Sequence, residues 1–334
     1  MRTFLDISRL GAVLSIGIAL GFATGAVGAE SRTGAAGQSP FGPADEIGML
    51  NLMTDASRLA VLSRVSSGKV YDLSVEYRVG MASWTALGEP AYQIWNIHTP
   101  RGTVIDNPTG ASREANELVT YSGEAISMYV HTGTHIDTLN HFGLRGRIWN
   151  GFQADEHLGD RGWLKSGAET VPPIIARGVL IDVAAAKGMA MLPPRYGISA
   201  ADLEEALKRQ GTTLRKGDVV MVRTGRMSVY QDNKAYLTDT PGLTRESAKY
   251  LADAGAIVVG ADNISTDVSP SQEPDNWIPV HSYLLTERGV NTMQSVYLEE
   301  LARDRVYEFA WIGAPLKLKG ASGAPMRPIA LPIR

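Results

Sequence analysis

Three short apolar runs, Val179–Val183, Val219–Arg223 and Ile257–Gly260, are spaced along the middle of the chain with helix-forming segments between them. Runs this short, rich in branched residues and bounded by glycine or polar residues, read as strands rather than helices. Between the first two, Ser199-Ala200-Ala201-Asp202 is a helix-capping start. Leu203, Ala206 and Leu207 fall on one face of a helix from Ala200 to about Gln210. Between the second and third, Thr244–Ala254 reads as helical. Further strands are expected at Lys69–Val75, Ile126–Val130, Tyr307–Trp311 and Ile329–Ile333, and helical turns at Leu59–Ser67 and Tyr297–Leu301. This is more strand than plain alternation supplies. A mixed α/β (α+β) fold with a substantial mixed sheet is the expectation. Residues 80–118, rich in Gly, Pro, Asn and Trp, read as one long loop.

The chain opens with Arg2 and Arg9, an apolar stretch from Leu10 to Val27, and small residues at Val27-Gly28-Ala29. That is the layout of an export signal cleaved after Ala29. Residues 1–29 are therefore expected to be a signal peptide, 30–40 a flexible lead-in, and 41–334 a single domain working in the periplasm or outside the cell. Glycines dilute the apolar stretch, which argues against a retained membrane anchor, and no later stretch is apolar enough to span a bilayer. Net charge is −3, which gives no electrostatic reason to expect nucleic acid. Cysteine is absent, so disulfides and thiolate metal sites are excluded, and any metal must rest on nitrogen or oxygen donors.

Three of the six histidines fall in one stretch, His131-Thr132-Gly133-Thr134-His135-Ile136-Asp137-Thr138-Leu139-Asn140-His141. If the strand from Ile126 continues, His131, His135 and Asp137 share a face by parity. A helix would bring His131 to His135 but turn Asp137 away, and the threonines and Gly133 disfavour it. Two imidazoles and a carboxylate suit a divalent ion with open positions. Asp137, with two oxygens, has the capacity to bridge two ions. His141 is a further ligand or a free general base. His281 is the best distant candidate, whereas His98 and His157 lack such a context.

The pattern His131-x-Gly133-Thr134-His135-x-Asp137, followed by His141, resembles the signature of the cyclase-type metal-dependent hydrolases, the group of bacterial kynurenine formamidase and isatin hydrolase. The resemblance extends to Asp45–Leu52, Arg177–Val183, Gly217–Gly225, His281–Leu301, the small-residue loop Gly320–Pro325 and Arg327–Ala330, and so covers nearly the whole chain from about residue 41. It implies a swivelling β/β/α-type fold. It also implies a metal held by His131, His135 and Asp137, with His141 as acid/base and His281 as a further ligand or its support. The chain departs from short members at Leu139, where they have proline, and at Gln294, where they carry a glutamate that helps hold a second metal. Neutral Gln294 favours one ion, Mn2+ or Zn2+, over two.

The expected function is therefore hydrolysis of a carbon–nitrogen bond in an amide, lactam or formamide by metal-activated water. The substrate is a small molecule, and the resemblance implies a homo-oligomer. Trp84, Tyr92 and Trp95 are candidate walls for a planar substrate. Two other readings stand beside this one. His135, Asp137 and His281 also fit the two-histidine, one-carboxylate set of a non-haem iron oxygenase, and an exported metal- or ligand-binding protein without turnover fits the same donors.

Overall fold

A computed structural model describes residues 34–334, so the leader expected at 1–29 lies outside the described residues. Nine strands form one mixed sheet: β1 (Tyr71–Asp72), β2 (His135–Asp137), β3 (Ile174–Asp182), β4 (Val219–Arg223), β5 (Val258–Ala261), β6 (Asn291–Gln294), β7 (Glu308–Gly313), β8 (Gly323–Pro325) and β9 (Ile329–Pro332). Their order is β1-β9-β7-β3-β4-β5-β6-β2-β8. The central block β3-β4-β5-β6 is parallel. Antiparallel strands extend it on both sides, β7, β9 and β1 beyond β3, and β2 and β8 beyond β6. The expected mixed sheet is thus present.

Alternation along the central strands feeds two cores. Val179, Ile181, Val220, Val222 and Val259 pack on one face with Leu203, Leu207 and Leu251 of the covering helices. Leu180, Val219, Met221, Val258 and Met293 face the other way, with Leu50, Phe309 and Trp311. At full burial each such aliphatic side chain contributes about 1.5–3 kcal/mol. One close approach is at Gly178, paired with Phe309, where an added Cβ would lie 2.1 Å from the Phe309 ring.

The helix Ala200–Gln210 begins where its cap requires. The Ser199 hydroxyl accepts from the Asp202 N–H at 3.2 Å, and the Asp202 carboxylate accepts from the Ser199 N–H at 2.9 Å. It ends at Gly211, whose φ of +66° is left-handed. Thr244 and Ser247 cap Arg245–Asp253 in the same reciprocal way.

Several expectations are corrected. The helix expected at Leu59–Ser67 is Asp55–Leu62, because Thr54 caps it and sets its start. Strand Lys69–Val75 shrinks to Tyr71–Asp72. Residues 80–118 are not one loop. They hold the strand Gln93–His98 and the helices Pro100–Asp106 and Arg113–Leu118, capped by Thr99 and Ser112. Gln93–His98 pairs with Gly123–Ser127, outside the main sheet. The described part of the lead-in, 34–40, is tied down rather than loose: the Gly37 N–H donates to Thr286 O at 2.9 Å and the Ser39 N–H to Asn150 Oδ1 at 3.1 Å.

A candidate metal centre at the end of the sheet

Strand β2 lies between β6 and β8, with Asp137 opposite Thr292 and Gly323, and His135 opposite Gln294 and Pro325. Parity holds along these three residues. Ile136 packs into the core while His135 and Asp137 face the site. Parity does not explain His131. The strand expected at Ile126–Val130 is Gly123–Ser127 of the separate hairpin, and the chain bends at Gly133, whose φ is +64°. The Tyr77 hydroxyl lies 2.8 Å from both Thr132 O and Thr134 O and holds that bend. His131 is therefore folded back over β2 rather than carried along it. Gly323 admits it, since a Cβ there would lie 2.6 Å from His131 Cε1.

Asp137 is the hub, and its two oxygens serve different partners. Oδ1 accepts from His131 Nδ1 at 2.6 Å and lies 3.3 Å from His135 Nε2. Oδ2 accepts from Thr292 Oγ1 at 2.8 Å, Gln294 Nε2 at 2.9 Å and His281 Nε2 at 3.1 Å. A turn, with the His141 N–H donating to Thr138 O at 3.0 Å, brings the His141 ring onto that of His131, stacked at 3.7 Å and 16°. Donor atoms of His131, Asp137 and His141 all lie within 4.8 Å of one another. His281 is held from behind: its Nδ1 donates to Asp267 Oδ2 at 2.5 Å, and Asp267 Oδ1 accepts from the Val280 N–H at 2.8 Å.

The charges follow from this arrangement. Burial raises the Asp137 carboxyl, but the surrounding imidazoles outweigh it and hold it well below the ordinary carboxylate value. Burial, reinforced by His131, pushes His141 well below the ordinary imidazole value, so it is neutral. His131 is lowered by burial against the pull of Asp137. Burial lowers His281 too, yet Asp267 and Asp137 flank it and carry it up to about 9.

These residues fit a cation. His135 Nδ1 lies 2.8 Å from the carbonyl of Gly133, an acceptor only, so Nδ1 carries a proton, and in the neutral ring Nε2 presents a lone pair. That lone pair faces a carboxylate oxygen at 3.3 Å, acceptor to acceptor. A positive charge between them removes the conflict. His131 Nε2 lies 3.0 Å from Ser322 Oγ, a hydroxyl that can donate or accept. His131 would keep that partner if its other nitrogen held an ion. Gln294 Oε1, buried at the cavity edge, has no partner among the described residues.

The cluster opens into a cavity of about 280 Å³ walled by Trp84, Leu87, Tyr129, Phe142 and Trp277. Of the aromatic walls expected, Trp84 is in place. Tyr92 is not, since it is buried against Tyr77 in a separate apolar cluster. Trp95 is not either, since it stands 48 % exposed on the hairpin. The structure brings His131, His135, Asp137, His141, His281 and Gln294 together. Sequence reasoning missed Asp267 and Thr292, which no spacing pattern reveals, because a loop and a strand pairing bring them in. A larger groove of about 710 Å³ beside Ser74–Tyr77 holds no histidine.

The Cyclase family model matches residues 71–268, which span the His131–His141 segment and Asp267. Cyclase-like protein 3 of Oryza sativa subsp. japonica is 25 % identical over 79 % of this chain and 80 % of its own length. Kynurenine formamidase of Bacillus cereus is 24 % identical over 75 % of this chain and 99 % of its own. A crystal structure described as a novel cyclase superposes with a TM-score of 0.78 at 27 % identity, covering 89 % of this chain and all 100 % of the other. Isatin hydrolase A from Ralstonia solanacearum superposes at 0.61 with 22 % identity, covering 84 % and 97 %, and shares the fold. With more than half of its length matched by the family model and the motif histidines gathered around Asp137, the chain belongs to the Cyclase family, the cyclase-type metal-dependent hydrolases.

Proposed function

We propose that the protein hydrolyses a carbon–nitrogen bond in a small amide, formamide or lactam, using one divalent ion, Mn2+ or Zn2+, held by His131, His135 and Asp137. The observation that carries this reading is His135 Nε2 set 3.3 Å from Asp137 Oδ1, with the other ring nitrogen tied to Gly133 O. Such a pinned tautomer is the usual support of a ligating imidazole. A bound divalent ion supplies Lewis acidity, lowering the pKa of water from about 15.7 toward about 7 and polarising the acyl carbonyl.

The chain's own residues do the rest. His141, neutral because it is buried beside His131, takes a proton from the attacking water and returns it to the leaving nitrogen. General acid–base transfer of this kind contributes about 10²–10⁴-fold. Addition of water across the bond gives a carboxylic acid and an amine, both on one ring-opened molecule when the substrate is a lactam. Thr292, Gln294 and His281 saturate Asp137 Oδ2 and leave Oδ1 turned to the imidazoles, which favours one ion over a bridged pair. Trp84, Phe142 and Trp277 wall the cavity and suit a planar, apolar body.

The test is turnover of formanilide, isatin and simple lactams by Mn2+- or Zn2+-loaded protein, with His141→Ala alongside. Hydrolysis that falls about 10²-fold or more in His141→Ala, with metal content retained, supports the reading. No turnover of any acyl substrate favours a binding protein, and turnover requiring ferrous iron and oxygen favours an oxygenase. We further infer export of the mature chain and a homo-oligomer. Ile94, Trp95 and Ile126, exposed on the hairpin, are consistent with burial between copies. Light scattering that returns the mass of a monomer contradicts the second point.

A further inference from the structure

Glu89 lies on the wall of the same cavity, half-buried, and forms no hydrogen bond or ion pair among the described residues. The two other carboxylates lining this space are engaged, Asp137 with the imidazoles and Asp267 with His281. No lysine or arginine lines it. Glu89 is next to Pro90, whose carbonyl accepts from the Tyr129 N–H at 3.3 Å, and the Tyr129 ring lies 4.9 Å from that of His131. The segment that carries Glu89 is thus joined by a backbone hydrogen bond to the segment that carries Tyr129 and His131.

The remaining walls are aromatic: Trp84, Tyr129, Phe142 and Trp277, with Phe142 and Trp277 edge to face at 5.5 Å. Aromatic faces attract a cation through the ring quadrupole, most strongly where water is displaced. A carboxylate beside them adds a full opposite charge. An anionic substituent beside Glu89 would meet its carboxylate, with no lysine or arginine on the cavity wall to offset it.

We propose that Glu89, with the aromatic wall, selects substrates that carry a protonated or quaternary amine away from the bond that is cut. The substrate class is then an aromatic amide, formamide or lactam bearing a cationic amine. This rests on the hydrolase reading for its substrate but not for its binding site. Binding energy from a remote group lowers KM, and it raises kcat only as far as it is stronger in the transition state.

The test separates the two. Benzyltrimethylammonium and neutral benzyl alcohol are titrated calorimetrically into the full chain, wild type and Glu89→Gln. The expected result is a ratio of cation to alcohol affinity about tenfold lower in Glu89→Gln. The same ratio in both proteins overturns the proposal, whether or not any substrate is hydrolysed. If formanilide is turned over, its para-aminomethyl derivative is compared with the para-methyl one. Preference for the amine, expressed in KM and reduced about tenfold in Glu89→Gln, is expected. Turnover without such a preference overturns the proposal and leaves the hydrolase reading standing. A Glu89-dependent cation affinity without turnover of any substrate leaves the proposal standing and sinks the hydrolase reading.

Discussion

Asp137 shows how one side chain organises a centre. Its Oδ2 accepts three protein donors while Oδ1 faces the imidazoles, so the carboxylate is fixed in direction before any ion arrives. Fixing it this way avoids reorganisation when charge develops. The same logic runs one step further out. Asp267 accepts from the Val280 N–H and from His281 Nδ1, so it needs both oxygens as acceptors. Asp267→Asn replaces one acceptor with an amide donor facing a donor. The expected outcome is a roughly 10–100-fold loss of metal affinity or turnover. Metal titration and kinetics read it, and values unchanged from wild type contradict the role. At this scale the motif was legible: three histidines and an aspartate stood out by density and spacing. Asp267 was not. Its partnership with His281 depends on a loop in which Thr266 has a φ of +60°, and sequence does not announce that geometry.

Elements carry the next level. The Asp45 carboxylate gathers five donors: Ser39 Oγ, the N–H groups of Ile47 and Gly48, Asn51 Nδ2 and Trp149 Nε1. It pins the N-terminal segment to the turn around Trp149. Burial raises its pKa, but Ser39, Trp149, Ile47 and Asn51 outweigh burial, and the net shift is below the ordinary 3.8. A depressed folded value stabilises the fold at pH above about 3.8. That contribution fades as pH falls through the lower folded value. Asp45→Ala is expected to destabilise by roughly 2–3 kcal/mol at neutral pH and to flatten the pH dependence of stability below about pH 4. Denaturant unfolding across pH checks both, and a pH dependence identical to wild type contradicts the latch.

Helices with strong caps, at Ser199 and Thr244, were readable almost to the residue, because the cap is local chemistry. Short strands and the hairpin were not. Gln93–His98 is exposed along nearly its whole length, so neither alternation nor an apolar run marked it. The bend at Gly133 likewise overrode a parity argument that had assumed one unbroken strand.

At the scale of the whole molecule, the sheet order itself builds the site. Strands β3, β4, β5 and β6 form the buried parallel block, and β2 adds antiparallel at its edge, bringing Asp137 opposite Thr292 on a strand 154 residues away by the Asn291–Asp137 separation. The mixed sheet was foreseeable from the apolar runs. Its order was not, because pairing across such separations leaves no periodic trace. Among the described residues no helix is long and apolar enough to cross a membrane. Since the bend at Gly133 and the pairing of β2 with β6 and β8 are what set His131, His135 and Asp137 around one point, an ion binds the folded state preferentially and stabilises it by mass action. At an ion concentration of about 100 times Kd this amounts to about 2.7 kcal/mol. Chelation is expected to lower the thermal midpoint of wild type and to leave His135→Ala almost unmoved, as read by calorimetric melting with and without chelator.

The central claim is a divalent ion on His131, His135 and Asp137, and elemental analysis of the purified protein beside His135→Ala tests it most directly. About one manganese or zinc per chain in the wild type, lost in the variant, is the predicted result. No metal in the wild type, and none taken up on incubation with either ion, would contradict the account.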